Sequence, residues 1–168
     1  MFKCFYPDEY VDSTYGIEFK KLKEKGCRGV LFDIDNTLVP HGAPADARAI
    51  RLFEELRELG LESCLISNNK RPRVESFARA VGTLFIEDAH KPGVKNYKRA
   101  CRLMGCTEEE VVFVGDQLFT DVYGAKRAGM PTILVKPIHP KEEIQIVLKR
   151  YLEKIVLYFY RKQRGLEK

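Results

Sequence analysis

The chain has 168 residues, 45% of them hydrophobic and 32% charged, with a net charge of +5. That suffices for one domain with a sizeable core and is too short for two comfortable ones; the composition is that of an ordinary soluble protein. The basic residues are spread along the sequence, so no nucleic-acid partner is expected. Cys4, Cys27, Cys64, Cys101 and Cys106 form no Cys-x-x-Cys pair and cluster with no histidine. Their number is odd and the N-terminus does not read as a signal peptide, so they read as reduced thiols of a cytoplasmic protein. The longest apolar run, Ile155–Tyr160, falls far short of the ~20 residues that span a bilayer.

The aromatic start, MFKCFYPDEYVDS, has a composition that fixes nothing about its place, and KKLKEKG at 20–26 reads as a solvated helix face. GVLFDI (Gly29–Ile34) is a first strand. A helix follows with Ile50, Phe53, Leu56 and Leu59 near helical spacing, stopping at Gly60. LESCLIS (Leu61–Ser67) is a second strand, RVESFARAVG a helix, and TLFI (Thr83–Ile86) a short third strand. Next come a helix from about Gly93 to Met104, the strand VVFVG (Val111–Gly115), a helix over TDVYGAKRAG, and the strand TILV (Thr132–Val135). A last helix, about 141–162, carries Ile144, Val147, Leu148, Tyr151, Leu152, Ile155 and Phe159 on one broad stripe. Strands alternating with helices predict right-handed crossovers and an α/β fold, a mostly parallel sheet sandwiched by helices. The strands are continuous apolar runs because both faces are covered.

In such sheets ligands bind beyond the carboxyl ends of the strands. Asp33 and Asp35 follow the first strand, Ser67, Asn68 and Asn69 the second, Lys91 the third after a short loop, and Asp116 and Asp121 the fourth. Asn36, Thr37, Asn69 and Thr120 read equally well, one by one, as turn or cap residues. Capping does not explain why four strand ends carry complementary charges. A hard cation such as Mg²⁺ would, since it takes oxygen ligands, and the absence of a His/Cys cluster argues against zinc.

DIDNTLV, SNN, HKPG and GDQLFTDVYGAKRAG, in this order and spacing, resemble the four motifs of the haloacid dehalogenase (HAD) superfamily of phosphatases. The resemblance spans about residues 5–140. It is narrowest to the capless subclass IIIA, YqeG type, which is similar to the mitochondrial phosphatidylglycerophosphate phosphatases of fungi. It implies one Rossmann-like HAD domain over 1–168 without a cap domain. It implies that Asp33 is the nucleophile, forming an aspartyl-phosphate, and that Asp35 is the acid/base. Mg²⁺ would sit on the carboxylates of Asp33 and Asp116 and the backbone carbonyl of Asp35. Asp121 would act from the second shell, through water or by orienting Lys91. Ser67 and backbone N–H groups near Asn68 would bind the phosphoryl oxygens, and Lys91 would offset charge on phosphate and nucleophile. Phosphoryl transfer needs such fixed positive charge in any case.

The gaps 39–61 and 69–91 leave no room for a folded cap. An open site suits a bulky phosphomonoester, a lipid among them, or a homo-oligomer that supplies a lid. The C-terminal helix joins its stripe to Lys149, Arg150, Lys154, Arg161, Lys162 and Arg164. Two readings stand: the stripe packs on the sheet or a partner, or it makes peripheral contact with the inner face of an anionic membrane. The leading expectation is a Mg²⁺-dependent phosphatidylglycerophosphate phosphatase. The alternatives are a phosphatase of a soluble sugar or nucleotide phosphate and a catalytically idle HAD-fold binding module; retention of every motif residue speaks against the last.

Overall fold

A computed structural model describes residues 3–139 and 144–165, with only the backbone of 144–148. Six parallel strands, in the spatial order β1-β6-β5-β2-β3-β4, form one sheet. They are β1 (Glu9–Val11), β2 (Gly29–Phe32), β3 (Glu62–Ile66), β4 (Leu84–Ile86), β5 (Val111–Gly115) and β6 (Thr132–Val135). The helices are α1 (Phe19–Glu24), α2 (Ala47–Glu58), α3 (Arg71–Val81), α4 (Val94–Met104), α5 (Tyr123–Ala128) and α6 (Ile144–Arg164). The five expected strands are present, within one or two residues at their ends. β1 is the sixth: three residues between acids give no period, and its place comes from pairing Glu9–Val11 with Ile133–Val135.

The strand period divides the core between the two faces. Val30, Phe32, Leu65, Val112 and Val114 point to one side, where they meet Leu52, Phe53 and Leu56 of α2 and Val74 and Phe77 of α3. Leu31, Cys64, Ile66, Val111 and Phe113 point to the other, against Tyr97, Ala100, Cys101 and Met104 of α4 and Ala125 of α5. Cys27, Cys64 and Cys101 are thus buried, and all five cysteines are free thiols. Between β2 and β3 stands α2 with its loops, and between β3 and β4 stands α3, so no cap is inserted among the described residues.

Local signals set the helix ends. Asp46 caps α2 by accepting from the Ala49 N–H at 2.9 Å. Gly82 and Gly105 end α3 and α4 at positive φ. β2 stops two residues before the expected end because the Ile34 carbonyl turns to accept from the N–H groups of Thr37, Leu38 and Val39.

α6 departs most from expectation. Residues 141–143 of the expected helix, and the side chains of Ile144, Val147 and Leu148, lie outside the described residues. Its inner face sets Val156 against Leu118, Val122 and Leu134, and Tyr160 edge-on to Tyr6. The described part of the expected stripe lies off this inner face. Tyr151, Leu152, Ile155 and Phe159, with Tyr158, point outward and are each between 45% and 62% exposed. No described helix is long and apolar enough to cross a membrane.

Candidate active site

Asp33 extends the ladder of β2, donating its N–H to the Val114 carbonyl at 3.0 Å, and its carboxylate therefore stands at the sheet's carboxyl edge. The chain then turns through Asn36 at φ 61, which brings Asp35 back over the edge beside Val39. Asp33, Asp35, Ser67, Asn68, Asn69, Lys91, Gln117 and Thr120 line one cleft of about 270 Å³, with His41 and Lys149 at its rim. A larger groove of about 560 Å³, along the starts of β3 and β4, gathers no comparable set; its Arg57 is spent on the Val81 and Gly82 carbonyls.

The floor of the cleft is a buried charge network. The Lys91 ammonium donates to Asp33 Oδ1 at 2.6 Å and to Asp121 Oδ1 at 2.7 Å. The Thr37 hydroxyl sits between Asp33 Oδ2 (3.4 Å) and Asp116 Oδ1 (3.2 Å). Asp121 reaches this point because residue 115 is glycine: a Cβ there would lie 2.6 Å from Asp121 Oδ2. Gly124 lets Tyr97 approach in the same way, and the Tyr97 hydroxyl donates to the Thr120 carbonyl at 2.8 Å, fixing the turn that carries Asp121.

Burial, with Asp121 and Asp35 nearby, outweighs the attraction of Lys91 and pushes Asp33 up to about 7 from its ordinary 3.8. Burial and the charges of Asp33 and Asp121 likewise raise Asp116 well above its usual range, against the pull of Arg150. Burial works against the charge of Lys91, but Asp121 and Asp33 more than offset it and hold the ammonium charged. The carboxylate cluster thus carries more negative charge than its own cations neutralise. Oxygens of Asp33, Asp116 and Asp121 lie within 4.8 Å of one another. This oxygen-only donor set fits a hard divalent cation.

Each expected site residue lies in or beside this cleft. Ser67 accepts from the Asn69 N–H at 3.1 Å and is buried at its edge. The Asn68 side chain is committed to positioning, since its Oδ1 accepts from the Lys91 backbone N–H at 2.8 Å. Asp121 contacts Lys91 directly, its Oδ1 accepting from the ammonium. Two arginines were not anticipated. Arg73 of α3 pairs with Asp35 Oδ1 at 3.0 Å, and the same carboxylate accepts from the Gly42 N–H at 2.8 Å and the Asn69 amide. Arg150 of α6 pairs with Asp116 Oδ2, donates to the Asp116 carbonyl, and is braced by Glu153 at 2.9 Å. Glu153, itself buried, accepts from the Leu118 N–H at 2.8 Å. A position of Arg73 one turn into the helix after SNN was a usable signal; Arg150 had none, being one basic residue among six.

A parallel sheet with carboxylates, a buried lysine and a hydroxyl beyond its strand ends is the layout of a phosphoryl-transfer enzyme. Residues 89–143 match the HAD-hydrolase-like family model. The chain is 41% identical to the "Probable phosphatase YqeG" of Bacillus subtilis over 92% of its own length and 91% of the relative's. It is 30% identical to "Phosphatidylglycerophosphate phosphatase 1" of Arabidopsis thaliana, over 82% of the chain and 45% of that protein. It is 27% identical to the "Glyceraldehyde 3-phosphate phosphatase" of Pyrococcus furiosus, over 87% of the chain and 55% of that protein. Its fold matches a subfamily IIIA HAD hydrolase of Legionella pneumophila with a TM-score of 0.56 at 14% identity, over 72% of each chain. The chain belongs to the HAD superfamily of phosphatases, in its capless YqeG branch.

Proposed function

We propose that this phosphatase is a Mg²⁺-dependent phosphomonoesterase that works through an aspartyl-phosphate on Asp33 and acts on phosphatidylglycerophosphate or a close lipid relative. The observation that carries the chemistry is the buried Asp33 carboxylate held 2.6 Å from Lys91 beside Asp116 at one strand edge. The carboxylates of Asp33 and Asp116 and the backbone carbonyl of Asp35 would hold Mg²⁺, which when bound screens the repulsion between carboxylate and phosphate. An Asp33 oxygen attacks phosphorus as the bond to the leaving oxygen breaks, and Asp35 delivers the proton that releases the alcohol. Asp35 then takes a proton from water as the water oxygen attacks phosphorus, freeing phosphate and restoring Asp33. Because three donors hold the Asp35 carboxylate, this role exchanges one of them for the leaving-group oxygen. Lys91 and Ser67 stabilise the equatorial oxygens, and Asp121 aims Lys91.

The lipid assignment is supported by the similarity to the plant phosphatidylglycerophosphate phosphatase, the uncapped cleft, and the outer face of α6. That face joins exposed Tyr151, Leu152, Ile155, Tyr158 and Phe159 to Lys154 and Lys162. The one acid of α6, Glu153, is turned inward, so two copies would bring like charges together, whereas an anionic bilayer matches the face. A soluble substrate is the second reading, favoured by the archaeal glyceraldehyde 3-phosphate phosphatase. Phosphate release with Mg²⁺ over lipid, sugar and nucleotide monophosphates tests both. A higher kcat/KM for a soluble ester than for phosphatidylglycerophosphate overturns the lipid assignment; no release from any, with folded protein, overturns the chemistry.

A further inference from the structure

In capped phosphatases the inserted domain reads the part of the substrate beyond the phosphate, and no such domain is inserted among the described residues here. The element that stands over the rim instead is α6, through Lys149 and Arg150. The cations around the cleft divide sharply. Lys91 is spent on Asp33 and Asp121, Arg73 on Asp35, and Arg150 on Asp116 and Glu153. Lys149 lines the same cleft, is exposed, and has no hydrogen bond or ion pair among the described residues. Its charge is therefore available to a ligand, while the other described cations there, Lys91, Arg73 and Arg150, are already paired with carboxylates.

Position determines what it can read. The phosphoryl group belongs at the floor, where Asp33, Ser67 and Lys91 are each less than 10% exposed. Lys149 is at the solvent rim, on a helix outside the sheet. A cleft of about 270 Å³ has room for a leaving group beyond the phosphoryl group itself. We propose that Lys149 is the substrate-selecting cation, and that it binds a second anionic group carried on the leaving-group side of the phosphomonoester. This deepens the phosphatase reading and rests on it. The selected class is then small: phosphomonoesters with a further phosphate or phosphodiester a few bonds away, with single-anion esters disfavoured.

The test compares glycerol 1,3-bisphosphate, which carries a second anion three carbons from the first, with glycerol 1-phosphate. Each is titrated calorimetrically, with Mg²⁺, into the full chain bearing Asp33→Asn, which cannot turn over. The parent prefers the bisphosphate; adding Lys149→Ala reduces that preference about tenfold, as loss of one charge-assisted hydrogen bond does. Lys149→Arg retains most of it, which a merely structural role would not predict. An unchanged preference, whether both affinities fall together or neither moves, overturns the proposal, and so does failure of the bisphosphate to bind. Phosphate release by the unmutated enzyme is measured alongside. Binding with the expected preference but no release of phosphate from either compound or from phosphatidylglycerophosphate would overturn the phosphatase reading and leave the Lys149 site intact.

Discussion

The strand-end cleft and helix α6 handle polarity in opposite ways. In the cleft, charged groups are buried: Asp33, Asp116, Asp121 and Lys91 are each less than 10% exposed, and each finds a partner. On α6 the polar pair Arg150 and Glu153 turns inward while five large apolar side chains face out. In these two regions burial follows pairing rather than hydrophobicity. A charge is accepted inside where hydrogen bonds and an opposite charge offset its desolvation, and a hydrophobe stays outside where no surface is left to receive it. The two regions meet at Asp116, where Arg150 joins the helix to the site.

The strongest way to separate the regions is to disable one without unfolding the other. Asp33→Asn should lower phosphate release at least ~10³-fold, since the amide cannot attack phosphorus. Circular dichroism should remain native, because the change removes charge from an overcharged cluster. Activity like the parent's would end the aspartyl-phosphate assignment.

Arg150→Ala probes the junction. It leaves Asp116 buried among like charges and Glu153 without its counter-ion, so it should destabilise by about 3 kcal/mol, a fall in Tm of roughly 10 °C. Thermal denaturation reads this directly. A loss below about 0.5 kcal/mol would show that α6 merely rests on the site.

The third prediction concerns pH. Asp33 is raised from 3.8 to about 7 in the fold, so folding favours its protonated form. Its contribution to stability is therefore complete below about 3.8 and is lost as pH rises through about 7. Without metal, Tm should drop between pH 5 and pH 8, and Mg²⁺ should raise it more at pH 8, where no proton competes for the carboxylates. Equal Mg²⁺ shifts at both values would count against a cation on this cluster.

The outer face of α6 gives the smallest effect on the fold. Ile155→Ser with Phe159→Ser should change stability by no more than about 0.5 kcal/mol each, as at other exposed positions. Co-sedimentation with anionic vesicles should nevertheless be lost, while binding by the parent should weaken with salt as the Debye length contracts from about 10 Å at 0.1 M to about 3 Å at 1 M. If the double variant binds vesicles like the parent, the face serves something else, and a concentration-dependent mass in solution would identify a second copy.

Much of this protein was decided locally and so was legible in its sequence. Continuous apolar runs separated by helical periods fix a parallel sheet, because neighbouring residues alone determine a strand's faces and a helix's stripe. Once the sheet is parallel, its carboxyl edge is a shared address, and Asp33, Ser67, Lys91 and Asp116 had to gather there. Other features depended on tertiary structure because their causes are distant in sequence. Arg73 meets Asp35 across 38 residues and Arg150 meets Asp116 across 34, and no local pattern distinguishes Arg150 from a solvated arginine. β1 is a strand only because β6 offers it an edge. α6 is apolar on both sides, so its sequence could not say which side would pack. The docking surface at Leu118, Val122 and Leu134 decided that, with the buried Glu153 accepting from the Leu118 N–H, and the stripe of Tyr151, Leu152, Ile155 and Phe159 was left facing out.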